Sequence, residues 1–425
     1  MSPDASSSAA SDPHRRDLTL DLARVAAVVF VVVVHLLQVG VGHDTRGAVV
    51  TSRPAEAQPW FDVATWFGQI MPLFFVIGGF ASGAGWASWV LRGGDAAGFI
   101  RSRTLRLVQP ALVLFGVLSL VMIGVKFTGI DPGLVDAALS AAGMPLWFLA
   151  AYLICQALVP LASEAHRRMP RAFLVGMTTA VIAVDAVRFA SGIEVLGYLN
   201  LLFVWPLIHQ FGFWYHDGWF SRRRKATLVA TAVASSLGFA GVLAWAPYST
   251  NMLTNRNPPT LPLVLLGLAQ TCVLCVIAPA LALLMRTRIA RLIVFAVGSR
   301  LMTVYLWHLP VILIVSAVAL IVPGAAPPPG SADWWATRPL VFAIVVIVLG
   351  LLSVPLARIE TIGVPPGSTP PRTLAVAVAW ISAFLPLFLV TVYGLDTTLL
   401  LCGTVSLAAS VVLLRGRRAT PHRAA

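Results

Sequence analysis

The stretch DLARVAAVVFVVVVHLLQVG, residues 21–40, has the length and character of a membrane helix, yet it carries an arginine and a histidine. Twenty helical residues rise about 30 Å, the thickness of a bilayer's hydrocarbon core. An arginine at mid-membrane costs roughly 2.5–3.5 kcal/mol on insertion scales, so Arg24 and His35 need a reason to be there. Eleven residues separate them; at about 100° per residue that falls within about 20° of three full turns, so both project from one face about 16 Å apart along the axis. Asp21, three residues before Arg24, lies on the same face and is placed to hold the guanidinium. His35 sits toward the far end of the span.

The rest of the chain repeats the apolar pattern of this stretch. Of 425 residues, 58% are hydrophobic and 11% charged, outside the range of soluble domains. The apolar runs are continuous, of about 18 residues or more, which excludes a barrel of alternating strands and gives an all-α integral membrane protein. Windows bounded by Gly, Pro and charge predict twelve spans: 18–40, 61–91, 105–127, 145–163, 172–190, 195–216, 226–246, 260–285, 292–322, 336–359, 374–394 and 397–414. Assigning the loops alternately to two sides puts 22 Lys and Arg on one side and 6 on the other, with Arg24 and Arg300 inside spans. This asymmetry places both termini in the cytoplasm of a cell that keeps the protein in its cytoplasmic (inner) membrane. It also accounts for the net charge of +13 without a nucleic-acid partner.

The expected organisation is a polar, disordered N-terminus over 1–17, a ten-helix core over 18–360, a proline-rich cytoplasmic linker over 361–373, two further helices over 374–414 that read as a scaffold, and a basic tail over 415–425. His14-Arg15-Arg16 precedes an apolar run but is not an export signal, because Asp21 and Arg24 interrupt the core and no cleavage site follows. Cys155, Cys272, Cys275 and Cys402 all fall inside spans. No disulfide framework or metal site is expected from them.

Three other stretches carry residues that lipid alone does not explain. FIRSRTLRLVQP, 99–110, puts Arg103 and Arg106 one turn apart, on the expected first turn of the third span, where paired guanidiniums and free backbone N–H groups favour phosphate. MPLFFVIGGFASGAG, 71–85, presents Gly78, Gly79, Gly83 and Gly85, which allow either close helix packing or the passage of a thin ligand. GSRLMTVYLWHLP, 298–310, places Tyr305 and His308 on one face of the ninth span, with His308 at nearly the depth of His35.

Taken together, these stretches resemble the membrane-bound acyltransferase-3 family. The match rests on Asp21, Arg24 and His35 in the first span, PLFFVIGGF at 72–80, RTLR at 103–106, PLWFLAAYLICQALVPL at 145–161 and YLWHLP at 305–310, with Glu360 in the place of the family's late glutamate. The resemblance implies transfer of an acyl group, acetyl above all, from cytoplasmic acyl-CoA as co-substrate to a hydroxyl of a carbohydrate or glycosylated or lipid-linked acceptor, with no permanently bound cofactor. It implies His35 and Arg24 as the catalytic pair and Arg103 and Arg106 as the acyl-CoA-binding residues. Asp21, Trp147, Tyr305, His308 and Glu360 are the candidates for acceptor binding or support. The imidazole suits either a general base or an acyl carrier. The span count alone also fits a secondary transporter, although the two halves carry no matched pair of broken helices.

Overall fold

The computed structural model describes residues 17–44, 46–125, 127, 129, 132–360 and 371–416. The expected N-terminal segment up to residue 16, the linker over 361–370 and the tail from 417 lie outside the described residues, as does the Glu360 side chain. Among the described residues the chain forms α1 (Leu18–Gln38), a hairpin of β1 (Gly40–His43) and β2 (Val49–Ser52), α2 (Phe61–Gly68), α3 (Met71–Leu91), α4 (Ala96–Val125), α5 (Pro132–Gly143), α6 (Leu146–Arg168) and α7 (Pro170–Ser191). There follow α8 (Val204–His216), α9 (Lys225–Trp245), α10 (Leu261–Leu284), α11 (Arg288–Gly298), α12 (Leu301–Ile321), α13 (Ala332–Glu360), α14 (Thr373–Tyr393) and α15 (Thr397–Arg415). Twelve helical segments among the described residues are long and apolar enough to cross a membrane. The protein is an all-α, multi-pass membrane protein.

Several expected spans are interrupted. The second is cut at Gln69–Ile70 into α2 and α3. Bent backbone at membrane depth must be satisfied by protein, and Gln270 does this: its Nε2 donates to the Gln69 carbonyl (2.8 Å) while its Oε1 accepts from Leu73 N–H (3.0 Å). The sixth begins as a 3₁₀ helix, Glu194–Leu202, before α8. The ninth is two helices: α11 is amphipathic, and the chain turns at Ser299–Arg300 before α12, so Arg300 caps a helix where an intramembrane position was expected. The third starts earlier than expected, at Ala96, which puts Arg103 and Arg106 about two turns inside α4. Their site therefore owes nothing to free N–H groups of a helix terminus. Arg101 and Arg338 also fall within helices, beyond the two arginines assigned to spans by charge alternation.

Packing is tightest where α3 crosses α8. A Cβ at Gly79 would run into the His209 carbonyl oxygen, and one at Gly212 into the Val76 carbonyl and Phe80 N, so the two backbones touch and only glycine fits at either position. Around this crossing an aromatic layer fills the centre: Phe75 stacks on Trp205 (4.4 Å), which meets Trp147 (5.2 Å), while Phe148 stacks on Tyr152 (5.2 Å). In contrast, α7 and α13 bury little of their surface and expose side chains such as Val175, Ile347 and Leu351. Those faces are apolar because they meet lipid.

The last two helices are bound to the core more specifically than an appendage needs. Arg101 in α4 donates from Nε to the Leu414 carbonyl (2.6 Å) and from Nη2 to the Arg415 carbonyl (3.0 Å), satisfying the C-terminal end of α15 and its dipole. Ser119 and Thr404 share a hydrogen bond at 2.9 Å. Ala379, Ala383, Leu387 and Leu407 are fully buried.

Candidate functional site

A cavity lies beside each of the two anomalous residues of α1. The first, about 120 Å³, is lined by Arg24, Arg103, Arg106, Gly78, Ser82, Tyr152, Gln156, Phe148 and Tyr305, with no carboxylate among its lining residues. Nε of Arg24 and of Arg103 are buried with no hydrogen-bond partner. Three guanidiniums facing one small space repel each other unless an anion joins them, so this cavity is built for negative charge. Phe99 holds the Arg103 guanidinium from below (4.9 Å to the ring centroid), and Gly85 leaves it room, since a Cβ there would strike Nη2. Gly78 is the glycine that opens the cavity wall: a Cβ on it would come within 2.9 Å of the Tyr152 ring. Gln156 Nε2 donates to Ser82 Oγ (2.8 Å) and fixes the polar floor.

The second cavity, about 30 Å³, is lined by His35, Gln38, Gln69, Trp147, Arg256 and Tyr305. It has room for roughly one water-sized group. Tyr305 borders both cavities, and its hydroxyl donates to the Pro145 carbonyl (2.7 Å), which pins the ring between them.

His35 and His308, on α1 and α12, meet at the second cavity. Nδ1 of His35 lies 2.7 Å from Nε2 of His308, and the two rings are nearly coplanar, edge to edge, with centroids 4.9 Å apart and a 19° interplanar angle. His308 Nδ1 is 2.6 Å from the Tyr305 carbonyl, an oxygen that only accepts, so the proton of His308 is on Nδ1. With both rings neutral, His308 Nε2 accepts, His35 Nδ1–H donates, and the lone pair of His35 is left on Nε2. Pro310, two residues beyond His308, has no N–H to give the α12 ladder at this point.

The match to known families is decided at the scale of the whole core: residues 17–358 match the family described as acyltransferase domain. The chain belongs to the acyltransferase-3 family. It is therefore an acyltransferase, and the match ends just before α14 and α15. Neither the curated proteins nor the solved structures return a match.

In this acyltransferase the sequence-derived candidates divide between the two cavities. Arg24, Arg103 and Arg106 gather at the first, His35 and Trp147 at the second, and Tyr305 at both. His308 is fully buried and lines neither cavity; it touches His35. Asp21 lies in the first turn of α1, one turn before Arg24. Trp334 is buried beneath Arg338 (4.2 Å to the ring centroid) and presents no face for stacking on a sugar. Asp185, a buried carboxylate, braces the bundle by accepting from Asn200 Nδ2 (2.8 Å), Tyr248 O–H (2.9 Å) and Leu261 N–H (2.9 Å). Among the described residues no group of three or more His, Cys, Asp or Glu is arranged to hold a metal.

Sequence reasoning missed Gln156, Ser82, Gln38 and Gln69, although polar residues inside apolar spans were a usable signal. It also missed Arg256, for which there was none. A single arginine in the NRNPP loop reads as an ordinary loop charge.

Proposed function

We propose that this acyltransferase takes its acyl group from acyl-CoA at the arginine-lined end, in the cytoplasm, and passes it within the membrane to a hydroxyl acceptor at the His35 end. The observation that carries this reading is the His35–His308 hydrogen bond, 2.7 Å long, beside a cavity that shares Tyr305 with a carboxylate-free arginine cluster. Arg24, Arg103 and Arg106 supply the charge that the phosphates of a thin, polyanionic donor require. The cavity runs past Gly78 to Tyr305, in line with a donor whose thioester travels along α1 toward His35.

His35 acts as general base. His308, held by the Tyr305 carbonyl, accepts a hydrogen bond at Nε2 from His35 Nδ1–H and so leaves the His35 lone pair on Nε2 for the acceptor hydroxyl. As in catalytic triads, a partner that sets the tautomer matters as much as the base itself. Trp147 forms the wall of the reacting space, and Arg24 positions the donor. The acceptor is a carbohydrate or glycosylated or lipid-linked hydroxyl, acetyl is the group carried, and the protein resides in the cytoplasmic membrane with both termini inside.

Purified protein in nanodiscs, given acetyl-CoA and a mixed set of sugar acceptors, tests the reading. Wild type should release CoA with transfer of the acetyl group, and His35→Ala should bind acetyl-CoA without releasing CoA. Wild type that neither binds nor turns over acetyl-CoA would refute the donor assignment.

A further inference from the structure

Arg256 ends the 3₁₀ turn Thr254–Arg256 in the loop between α9 and α10. A loop arginine of a membrane protein ordinarily reaches for water or headgroups, but this one turns inward. Its Cζ lies 5.0 Å from the centroid of the Trp147 ring, and it lines the 30 Å³ cavity together with His35, Gln38, Gln69 and Tyr305. It is near enough for its charge to act on both His35 and Tyr305. Its Nε is buried and has no hydrogen-bond partner. The neighbouring carboxylate, Glu56, already accepts from Gln38 Nε2 (3.1 Å) and Arg53 Nη1 (3.3 Å). Burial lowers the pKa of the Arg256 guanidinium, which starts from a value so high that it still carries its proton.

A buried charged donor with an unused N–H is costly, and such an arrangement persists where an oxygen is delivered to it. The cavity that it lines holds about one oxygen-sized group and adjoins His35. Arg24, the arginine that the family resemblance implies as catalytic, lines the opposite cavity and is not placed to serve that oxygen.

We propose that Arg256 is a further catalytic residue, donating a hydrogen bond to the oxygen that becomes negative during transfer. The inference rests on the acyl-CoA reading above. The acceptor oxygen bonds to the thioester carbonyl carbon while its proton passes to His35 Nε2, and the carbonyl π electrons move onto oxygen, facing the guanidinium. As the C–O double bond reforms, the C–S bond breaks, and the proton on His35 goes to the departing thiolate, giving the ester and free CoA. Trp147 holds the guanidinium plane in place throughout, so no reorganisation is needed when the charge appears.

The test compares wild type, Arg256→Gln, Arg256→Lys and Arg256→Ala in nanodiscs. It measures acetyl-CoA binding by titration, turnover as CoA release with acetyl transfer, and folding by elution and melting profile. Loss of an oxyanion donor should lower kcat of Arg256→Gln by about 10²–10³-fold, with acetyl-CoA affinity unchanged. Arg256→Lys should retain part of the rate, and methylguanidinium added to Arg256→Ala should restore part of it. If wild type is active and folded Arg256→Gln keeps kcat within about threefold, or loses only donor affinity, the role of Arg256 is overturned while the acyl-CoA reading stands. If Arg256→Gln fails to fold, Arg256→Lys decides: a folded lysine variant with full kcat overturns the role, and one with a partial rate at unchanged affinity supports it. If wild type neither binds acetyl-CoA nor releases CoA, the donor reading falls and the inference falls with it.

Discussion

His35 and His308 are 273 residues apart in the chain and 2.7 Å apart in space, and the Tyr305 carbonyl sets the direction of the proton between them. His308→Gln, which keeps polarity but loses the ring acceptor and the fixed proton, should therefore lower kcat with little change in donor affinity. His35→Ala should remove base catalysis altogether, about 10²–10⁴-fold. Turnover and acetyl-CoA titration on the same preparations check both. A His308→Gln variant with wild-type kcat would separate the two histidines functionally.

The arginine cluster predicts the opposite kinetic signature. Arg103→Ala and Arg24→Ala should each weaken acyl-CoA binding by roughly tenfold to a hundredfold, the worth of a charge-assisted contact of about 1.5–3 kcal/mol. The thermal stability of the unliganded protein should stay the same or rise, because each change relieves repulsion in a cavity that has no carboxylate on its wall. Binding titrations and melting curves without donor distinguish this from simple misfolding.

Gly79→Ala should prevent accumulation of folded protein, since the added methyl meets the His209 carbonyl at the α3–α8 crossing. Gly116→Ala in α4 is the control. Nothing lies within 4 Å of a Cβ at Gly116, and the change should be neutral or stabilising by up to about 1 kcal/mol through helix propensity. Yield and elution profile in detergent compare the pair.

Arg101→Met should loosen α15 without touching either cavity. Removing two hydrogen bonds from a cation to the Leu414 and Arg415 carbonyls leaves helix-end acceptors unpaired, at a cost of about 1.5–3 kcal/mol for each. The expected result is a lower melting temperature, with acetyl-CoA affinity retained at low temperature. Unchanged melting would mean that α14 and α15 stay docked without the Arg101 hydrogen bonds.

Asp217, just past the end of α8, accepts from His166 Nε2 (2.8 Å) and pairs with His216 (3.3 Å), and these hydrogen bonds hold its carboxyl well below the usual carboxylate range. A depressed folded-state pKa stabilises the protein above the unfolded value of about 3.9, and that contribution is lost as pH falls through the folded value. The melting-temperature difference between wild type and Asp217→Asn should thus be constant from neutral pH down to about 4 and shrink below it. A difference that does not shrink as pH falls below about 4 would show that the charge of the Asp217 carboxylate is not what stabilises this turn.

The sequence by itself determined the membrane class, the twelve long apolar segments, the shared face of Arg24 and His35, and the family. These follow from composition, from helical periodicity and from motifs local to one helix, all of which are properties of neighbouring residues. Span 61–91 is continuous in composition because its break is satisfied from elsewhere: Gln270, two hundred residues away, supplies the hydrogen bonds missing at Gln69. Arg103 and Arg106 looked like the start of a helix because their charge marks the membrane edge, although the helix itself begins at Ala96. Only the tertiary structure decided that His308 pairs with His35, that Tyr305 stands between the two cavities, and that Arg256 turns inward from its loop to the cavity beside His35. Those relationships depend on how helices cross, at contacts such as Gly79 against Gly212, and hydropathy along one segment carries no information about which segment it will meet.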